Sequence, residues 1–254
     1  MENVVTNIKN KDRLKVLLLQ IREDAKVRIE EHESFARYAG LELAQIAVHN
    51  VFDQPRFGPE IIDGYDSLFV GGASEASVLE PQRYPFVKDA QALLLHCIRQ
   101  DFPVFASCFG FQLAVLALGG EIIRDGEDFE MGTIAISLSE AAKRDPVFQG
   151  TSNGFMAVAV HQEKAITVPP GCSELAFTQH CNHAFKVDGA RFWAFQFHPE
   201  VDLQILVERL TIYRDHYTRD TAHLDEVLRQ AVEVPESTAL LKKFVDHVLL
   251  VNGN

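Results

Sequence analysis

Apolar residues in this chain come as short continuous runs set between amphipathic stretches, as expected where strands covered on both faces alternate with helices. Leu14-Lys-Val-Leu-Leu-Leu-Gln20 is one such run, and Ala44-Gln-Ile-Ala-Val48 is a second β signal. Between them a helical pattern ends near Tyr38-Ala39-Gly40, with Gly40 placed as the left-handed residue that closes a helix. The unit then repeats. Ser67-Leu-Phe-Val70 runs into Gly71-Gly72, a helix is predicted from Tyr84 to Arg99, and Pro103-Val-Phe-Ala106 runs into Cys108. This order predicts an α/β fold with a doubly wound, mostly parallel sheet and helices on both faces.

Beyond Met131 the texture changes to β signals at Thr133 to Leu138, Phe155 to His161, Leu175 to Thr178, Ala184 to Val187 and Phe192 to Phe197. They predict a mixed or antiparallel extension of the sheet. Helical patterns follow at Leu203 to Tyr217, His223 to Val232 and Ser237 to Val251, with Glu233 to Glu236 as a short break containing Pro235. The apolar stripes of the last two (Leu224, Val227, Leu228; Leu240, Leu241, Phe244, Val248) suit packing on the chain's own core or docking of a partner. No repeat or low-complexity tract divides the chain. The expected organisation is a flexible N-terminus over 1–13, one domain over 14–217 and a helical extension over 218–254 packed on the same domain.

The 254 residues are 47% hydrophobic and 24% charged, enough to bury a large core. A net charge of −12 argues against nucleic acid and against an anionic membrane face as partners. Four cysteines without a CxxC pair suggest a reducing, cytoplasmic setting. The polar start has no apolar signal-peptide core, and no window approaches the ~20 apolar residues of a membrane span. Neither GxxxxGK[ST] nor GxGxxG is present, so no nucleotide cofactor is expected.

Candidate chemistry begins at Phe105-Ala-Ser-Cys-Phe-Gly-Phe-Gln112, where a β run meets the helical run Leu113 to Leu118. A side chain on a sharp strand-to-helix turn stands proud of the sheet, and the small residues Ala106 and Gly110 let the backbone bend. Free N–H groups of the helix start would favour a thiolate there. Read alone, Cys108 also fits a buried cysteine packed as a small hydrophobe, as do Cys97, Cys172 and Cys181. The second element is Arg191-Phe-Trp-Ala-Phe-Gln-Phe-His-Pro-Glu-Val201, a β run ending in His198-Pro199-Glu200. Pro199 favours extended backbone at His198, and a spacing of two in extended chain puts both side chains on one side. A carboxylate so placed can orient an imidazole, although a surface pair reads the same way.

Together, Val70-Gly-Gly72, Cys108-Phe-Gly-Phe-Gln112, His161 in a strand and Phe197-His-Pro-Glu-Val201 resemble the class I, triad-type glutamine amidotransferases, above all the glutaminase domain of the GMP synthetase family. The similarity spans roughly Leu14 to Tyr213 and implies a flavodoxin-like fold. It implies Cys108 as nucleophile, His198 as general base and acid, and Glu200 as the residue orienting His198. Backbone N–H groups of Gly72 and Phe109 would hold the oxyanion. Gly71, Gln112, Val160 and His161 would contact glutamine or another γ-glutamyl substrate.

This chain departs from the family pattern at Ala106 (usually Gly), Ala73 (usually Pro), Phe111 (often His) and Val160-His-Gln-Glu163 (usually Ser-His-Gly-Asp). These positions bear on substrate affinity and loop geometry more than on the triad. The implied activity is release of ammonia and glutamate through a glutamyl thioester. The chain contains no Ser-Gly-Gly-x-Asp-Ser loop of the synthetase half, so an ammonia-accepting synthetase would be a separate partner. Hydrolysis of a γ-glutamyl conjugate by the same triad is the alternative, and a non-catalytic regulatory protein of this fold is a third. His180-Cys-Asn-His183 matches no standard zinc spacing, so no metal is expected. The oligomeric state is not encoded in any feature of the sequence.

Overall fold

The first parallel strand explains the rest of the sheet. In the computed structural model, which describes residues 10–125, 129–213 and 221–251, β1 (Val16–Gln20) is buried at every position. Its side chains alternate between two apolar layers. Leu17 and Leu19 enter one layer, while Val16 and Leu18 enter the other. β1 pairs in parallel with β2 (Ile46–Asn50) on one side and with β3 (Ser67–Val70) on the other. The sheet continues through β4 (Val104–Ser107) and two further short strands enter elsewhere, β5 (Ile123–Arg124) pairing with β8 (Glu163–Lys164).

The remaining strands are β6 (Glu130–Leu138), β7 (Phe155–His161), β9 (Cys172–Phe177), β10 (Asn182–Val187) and β11 (Phe192–Phe195). The nine-stranded sheet has the order β2-β1-β3-β4-β11-β10-β9-β6-β7. β4 and β11 are parallel, whereas β10, β9, β6 and β7 join by antiparallel pairing. The parallel half and the antiparallel extension are therefore both as the sequence predicts.

Helices cover both faces. α1 (Ala25–Ala39) starts on Asp24, whose side chain accepts from the N–H groups of Lys26 and Val27, and stops at Gly40 with φ 63°. It packs Phe35, Ala36 and Ala39 on the layer of Val16, Phe69 and Phe105. α2 (Phe86–Arg99) and α3 (Phe109–Ala117) pack on the opposite layer. α4 (Leu203–Ile212) and α5 (Thr221–Gln230) flank the β6–β7 hairpin, where Leu206, Leu210 and Leu224 meet Met131 and Val158. α6 (Pro235–Phe244) buries Leu240, Leu241 and Phe244 against Phe69, Phe105 and Trp193. The C-terminal stripe thus belongs to the core.

Several boundaries differ from the sequence reading for physical reasons. Lys11–Arg13 form a 3-10 turn capped by Asn10, so the stretch before Leu14 is ordered from Asn10; residues 1–9 lie outside the described residues, as do 214–217 of the helix expected to reach Tyr217. Pro235 opens α6 rather than merely separating two helices, because a proline has no N–H to leave unpaired at a first helical position. The helix expected to reach Val251 passes into a π-helical turn over Val245–Leu249. No helix among the described residues is long and apolar enough to cross a membrane.

In parallel strands the carboxyl ends share one edge of the sheet. Register places Leu19 beside Val70, Val70 beside Ala106 and Ser107 beside Phe195. The segments that leave this edge carry Arg22, Gly71-Gly72, Cys108 and Gln196 to His198. Ligands of open α/β sheets bind at such an edge.

Candidate active site

Cys108 is the residue between β4 and α3, and its backbone is held at φ 47° and ψ −96°. Asp101 is the other non-glycine residue with positive φ among those described. An L-residue adopts this region at a cost of ~1 kcal/mol or more, so neighbours must impose it. Its N–H donates to Phe195 O at 2.7 Å, and its C=O accepts from Gln112 N at 3.1 Å, fixing the turn at both ends. Gly110 makes the turn fit, because a Cβ there would lie 2.9 Å from Val70 Cβ and 3.1 Å from Ala106 Cβ. The thiol consequently sits at the start of α3, where the first N–H groups have no intrahelical partner.

His198 and Glu200 reach it from the end of β11. The strand stops at Phe195 rather than at Phe197, because Gln196 N turns to His183 O and His198 N donates to Val158 O, both at 2.8 Å. The extended geometry expected for His198-Pro199-Glu200 gives way to a turn closed by Val201 N on His198 O at 3.1 Å. That turn, and not strand alternation, brings the two side chains together. His198 Nδ1 lies 2.7 Å from Glu200 Oε1, leaving Nε2 as the ring nitrogen available to Cys108.

Glu200 is fully buried, and Ser34 Oγ donates to its backbone carbonyl. Burial disfavours its charge, but the charges of His198 and Arg209 outweigh burial and hold the carboxyl below its usual range. Burial likewise works against a charged His198. The negative charges of Cys108 and Glu200, with hydrogen bonds to both, prevail and lift its pKa to about 9.

Gly72 closes the site from β3. A Cβ on it would fall 2.7 Å from His198 Cε1 and 3.5 Å from Cys108 Cβ, so its main chain lies directly against the pair. Behind this loop the sequence reading missed a buried ion pair. Arg22 Nε donates to Glu31 Oε1 at 2.8 Å and Nη1 to Ser74 Oγ at 3.0 Å, with Arg22 and Glu31 at 1% and 0% exposure. Gly71 belongs to this support and does not line the cleft: its N–H donates to Leu19 O, and a Cβ on it would meet the Glu31 carboxylate at 2.9 Å.

A cleft of about 120 Å³ opens over Cys108, walled by Ala73, Phe109, Gln112, Val160 and His161. Gln112 Nε2 donates to Glu163 O at 2.8 Å, which ties α3 to β8. The far wall is a polar group built on Glu163, to which the sequence alone gives no sign that Arg124 and Ser77 belong. Arg124 Nη2 reaches Glu163 Oε1 at 2.6 Å and Ser77 Oγ at 2.9 Å, and Ser77 Oγ donates to the same Glu163 oxygen at 2.5 Å. His161 turns its ring to Glu130, its Nε2 3.2 Å from Glu130 Oε2, and burial pushes it down to about 4 against the pull of that carboxylate. His161 therefore meets the cleft mainly through its position in β7.

A family model, glutamine amidotransferase class-I, matches residues 47–210, a stretch that includes Gly72, Cys108, His161, His198 and Glu200. The GMP synthase (glutamine-hydrolyzing) of Thermotoga petrophila is 29% identical over 168 residues, 65% of this chain and 31% of that protein. Its counterpart in Symbiobacterium thermophilum is 34% identical over 100 residues, 39% of this chain and 19% of that protein. The chain thus spans about a third or less of the length of these curated relatives. A solved glutamine amidotransferase of Thermotoga maritima shares the fold with a TM-score of 0.73 at 17% identity, over 93% of this chain and 98% of that one.

Proposed function

Because the chain belongs to the class I glutamine amidotransferase family, we propose that it hydrolyses the side-chain amide of glutamine at Cys108, through a covalent thioester. The observation that carries this reading is the strained Cys108 turn at the start of α3, beside an imidazole whose Nδ1 is fixed 2.7 Å from a buried carboxylate. In this reading the Cys108 sulfur attacks the γ-carbonyl carbon. The N–H groups of Gly72 and Phe109 receive the oxyanion, each donor lowering the barrier by ~3 kcal/mol. His198 Nε2 delivers its proton to the departing ammonia, and the acyl group stays on sulfur. His198 then takes a proton from water, which attacks the thioester and releases glutamate. Glu200 keeps the ring oriented and balances its charge throughout.

The same reading takes 14–217 as the amidotransferase domain and 218–254 as a helical extension packed on it, supported by the burial of α6 in the core shared with β1, β3 and β4. Relatives named GMP synthase suggest that the ammonia serves a synthetase. A cleft with an Arg124–Glu163–Ser77 wall also suits the amino-acid end of a γ-glutamyl conjugate. The deciding experiment is a panel of L-glutamine, γ-glutamyl amines and γ-glutamyl peptides, read as glutamate and ammonia released. Highest kcat/KM on glutamine supports the amidotransferase reading; highest kcat/KM on a conjugate with no ammonia release replaces it with γ-glutamyl hydrolysis; no release from any member overturns both.

A pH dependence follows from the site electrostatics. His198 must carry a proton for the leaving group, and its pKa is lifted to about 9. Activity is expected to hold through neutral pH and to fall as pH rises through an apparent value near 9, a property of the coupled site as a whole. A kcat/KM profile already falling between pH 6 and 7, around the ordinary imidazole value of about 6.5, would contradict this.

A further inference from the structure

Against the expectation from sequence, the structure gathers a second cluster of reactive side chains behind the cleft wall. Glu130 and His161 are directly opposed in the β6–β7 pair, so both side chains share one face of the hairpin. Cys181 and His183, two residues apart, meet them from the start of β10. One ligand atom from each of Glu130, His161, Cys181 and His183 lies within 4.8 Å of all the others. Glu130 Oε2 is 2.7 Å from His183 Nε2, 3.2 Å from His161 Nε2 and 3.3 Å from Cys181 Sγ, and Cys181 Sγ is 3.4 Å from His183 Nε2.

We propose that these four residues bind one divalent transition metal ion of the zinc class in tetrahedral geometry. Bond lengths of 2.0–2.3 Å around such an ion give ligand-to-ligand separations of about 3.3–3.8 Å, within the spread of separations here. Hydrogen bonding alone does not account for the arrangement. Three side chains converge on a single carboxylate oxygen, yet Nδ1 of both His161 and His183 is buried without a hydrogen-bond partner, and the 3.2 Å approach of His161 Nε2 to Glu130 is too poorly aligned to make a good one. The His161 side chain is 1% exposed and its Nε2 points at the cluster centre, so a coordinate bond would satisfy an otherwise costly buried nitrogen. A thiolate and a carboxylate also neutralise a divalent ion, which suits a buried site. One sulfur with two imidazoles selects a borderline-soft ion over magnesium or calcium.

The placement assigns the ion a positioning role. Val160 and His161 wall the cleft, while the backbone of His183 accepts from Gln196 N, two residues before His198. The ion would therefore lock the substrate wall and the strand end bearing His198 to one another. A surface groove lined by Glu130, Thr178 and His180 gives it a route in.

The test uses the full chain carrying Cys108→Ser, which removes the cleft thiol as a competing ligand, stripped by chelation and titrated with Co²⁺. The expected result is one equivalent bound, with intense visible bands of a tetrahedral ion and a near-ultraviolet thiolate-to-cobalt band, both displaced by Zn²⁺. Cys181→Ser added to this protein should abolish the thiolate band, whereas His180→Ala should leave the spectrum unchanged. X-ray absorption at the zinc edge, on the Cys108→Ser protein alone, should give one sulfur at about 2.3 Å with nitrogen and oxygen at about 2.0 Å, a readout that holds even if Cys181→Ser fails to fold. Natively folded protein that binds no stoichiometric ion, binds it without sulfur, or keeps the thiolate band in the Cys181→Ser variant would overturn the site.

Discussion

Cys108→Ala is expected to lower kcat for glutamine hydrolysis by roughly 10⁵-fold or more, the scale on which a triad nucleophile acts when its partners cannot substitute for it. The other cysteines offer no replacement. Cys97 lies on the buried face of α2 and Cys172 on β9, and burial pushes both thiols up to about 12. Cys181 faces Glu130 behind the cleft wall. The substitution preserves the turn, since Ala has the same backbone restrictions as Cys and the Phe195 and Gln112 hydrogen bonds are made by the main chain. Far-ultraviolet circular dichroism and Tm should therefore stay close to those of the parent while turnover disappears. Activity within a few-fold of the parent would remove Cys108 from the mechanism.

Glu200→Gln is expected to cost roughly 10²- to 10⁴-fold in kcat, a large loss but smaller than that of Cys108→Ala. An amide in place of the buried carboxylate keeps the volume. It removes the charge that supports a protonated His198 and can present an N–H to Nδ1, favouring the wrong tautomer. Two signatures should accompany the loss. The alkaline limb of the kcat/KM profile should move down from about 9, because a charge that raises His198 has gone. KM should change less than kcat, because Glu200 is fully buried behind His198 and does not line the cleft. A loss equal to that of Cys108→Ala, with no movement of the alkaline limb, would give Glu200 a role other than orienting the imidazole.

The parts of this site legible in the sequence are those fixed by short-range pattern. Leu17 to Leu19 read as a strand buried on both faces because no polar residue interrupts them, and Gly40 ends α1 by a left-handed turn that its lack of a Cβ permits. Cys108 stood out because a β run, a small residue and a helical run adjoin there. The parts not legible depend on pairings between distant segments. The identity of His198-Pro199-Glu200 does not show whether a turn or a strand joins the two side chains; the bonds of Gln196 to His183 and of His198 to Val158 decide it. Arg22 and Glu31 belong to no sequence motif; they lie nine residues apart, one after β1 and one on α1, and only the fold pairs and buries them. Gly71 reads as a cleft residue beside Gly72, yet opposite sides of the loop face Glu31 and Cys108. Glu130 and His161 become neighbours only through the β6–β7 register, and Cys181 and His183, at the start of β10, join them only in the folded chain.

The central claim is that glutamine is opened by covalent attack of Cys108, and trapping the acyl-enzyme tests it most directly. Wild-type protein mixed with saturating glutamine, quenched in acid during turnover and digested, should yield the peptide containing Cys108 with a glutamyl group on sulfur. Cys97, Cys172 and Cys181 should be unmodified, and the adduct should vanish on treatment with hydroxylamine, as a thioester does. Accumulation should rise in Glu200→Gln if that substitution slows deacylation more than acylation. Steady release of glutamate and ammonia with Cys108 unmodified at every quench time, or with the glutamyl group on another residue, would contradict the account.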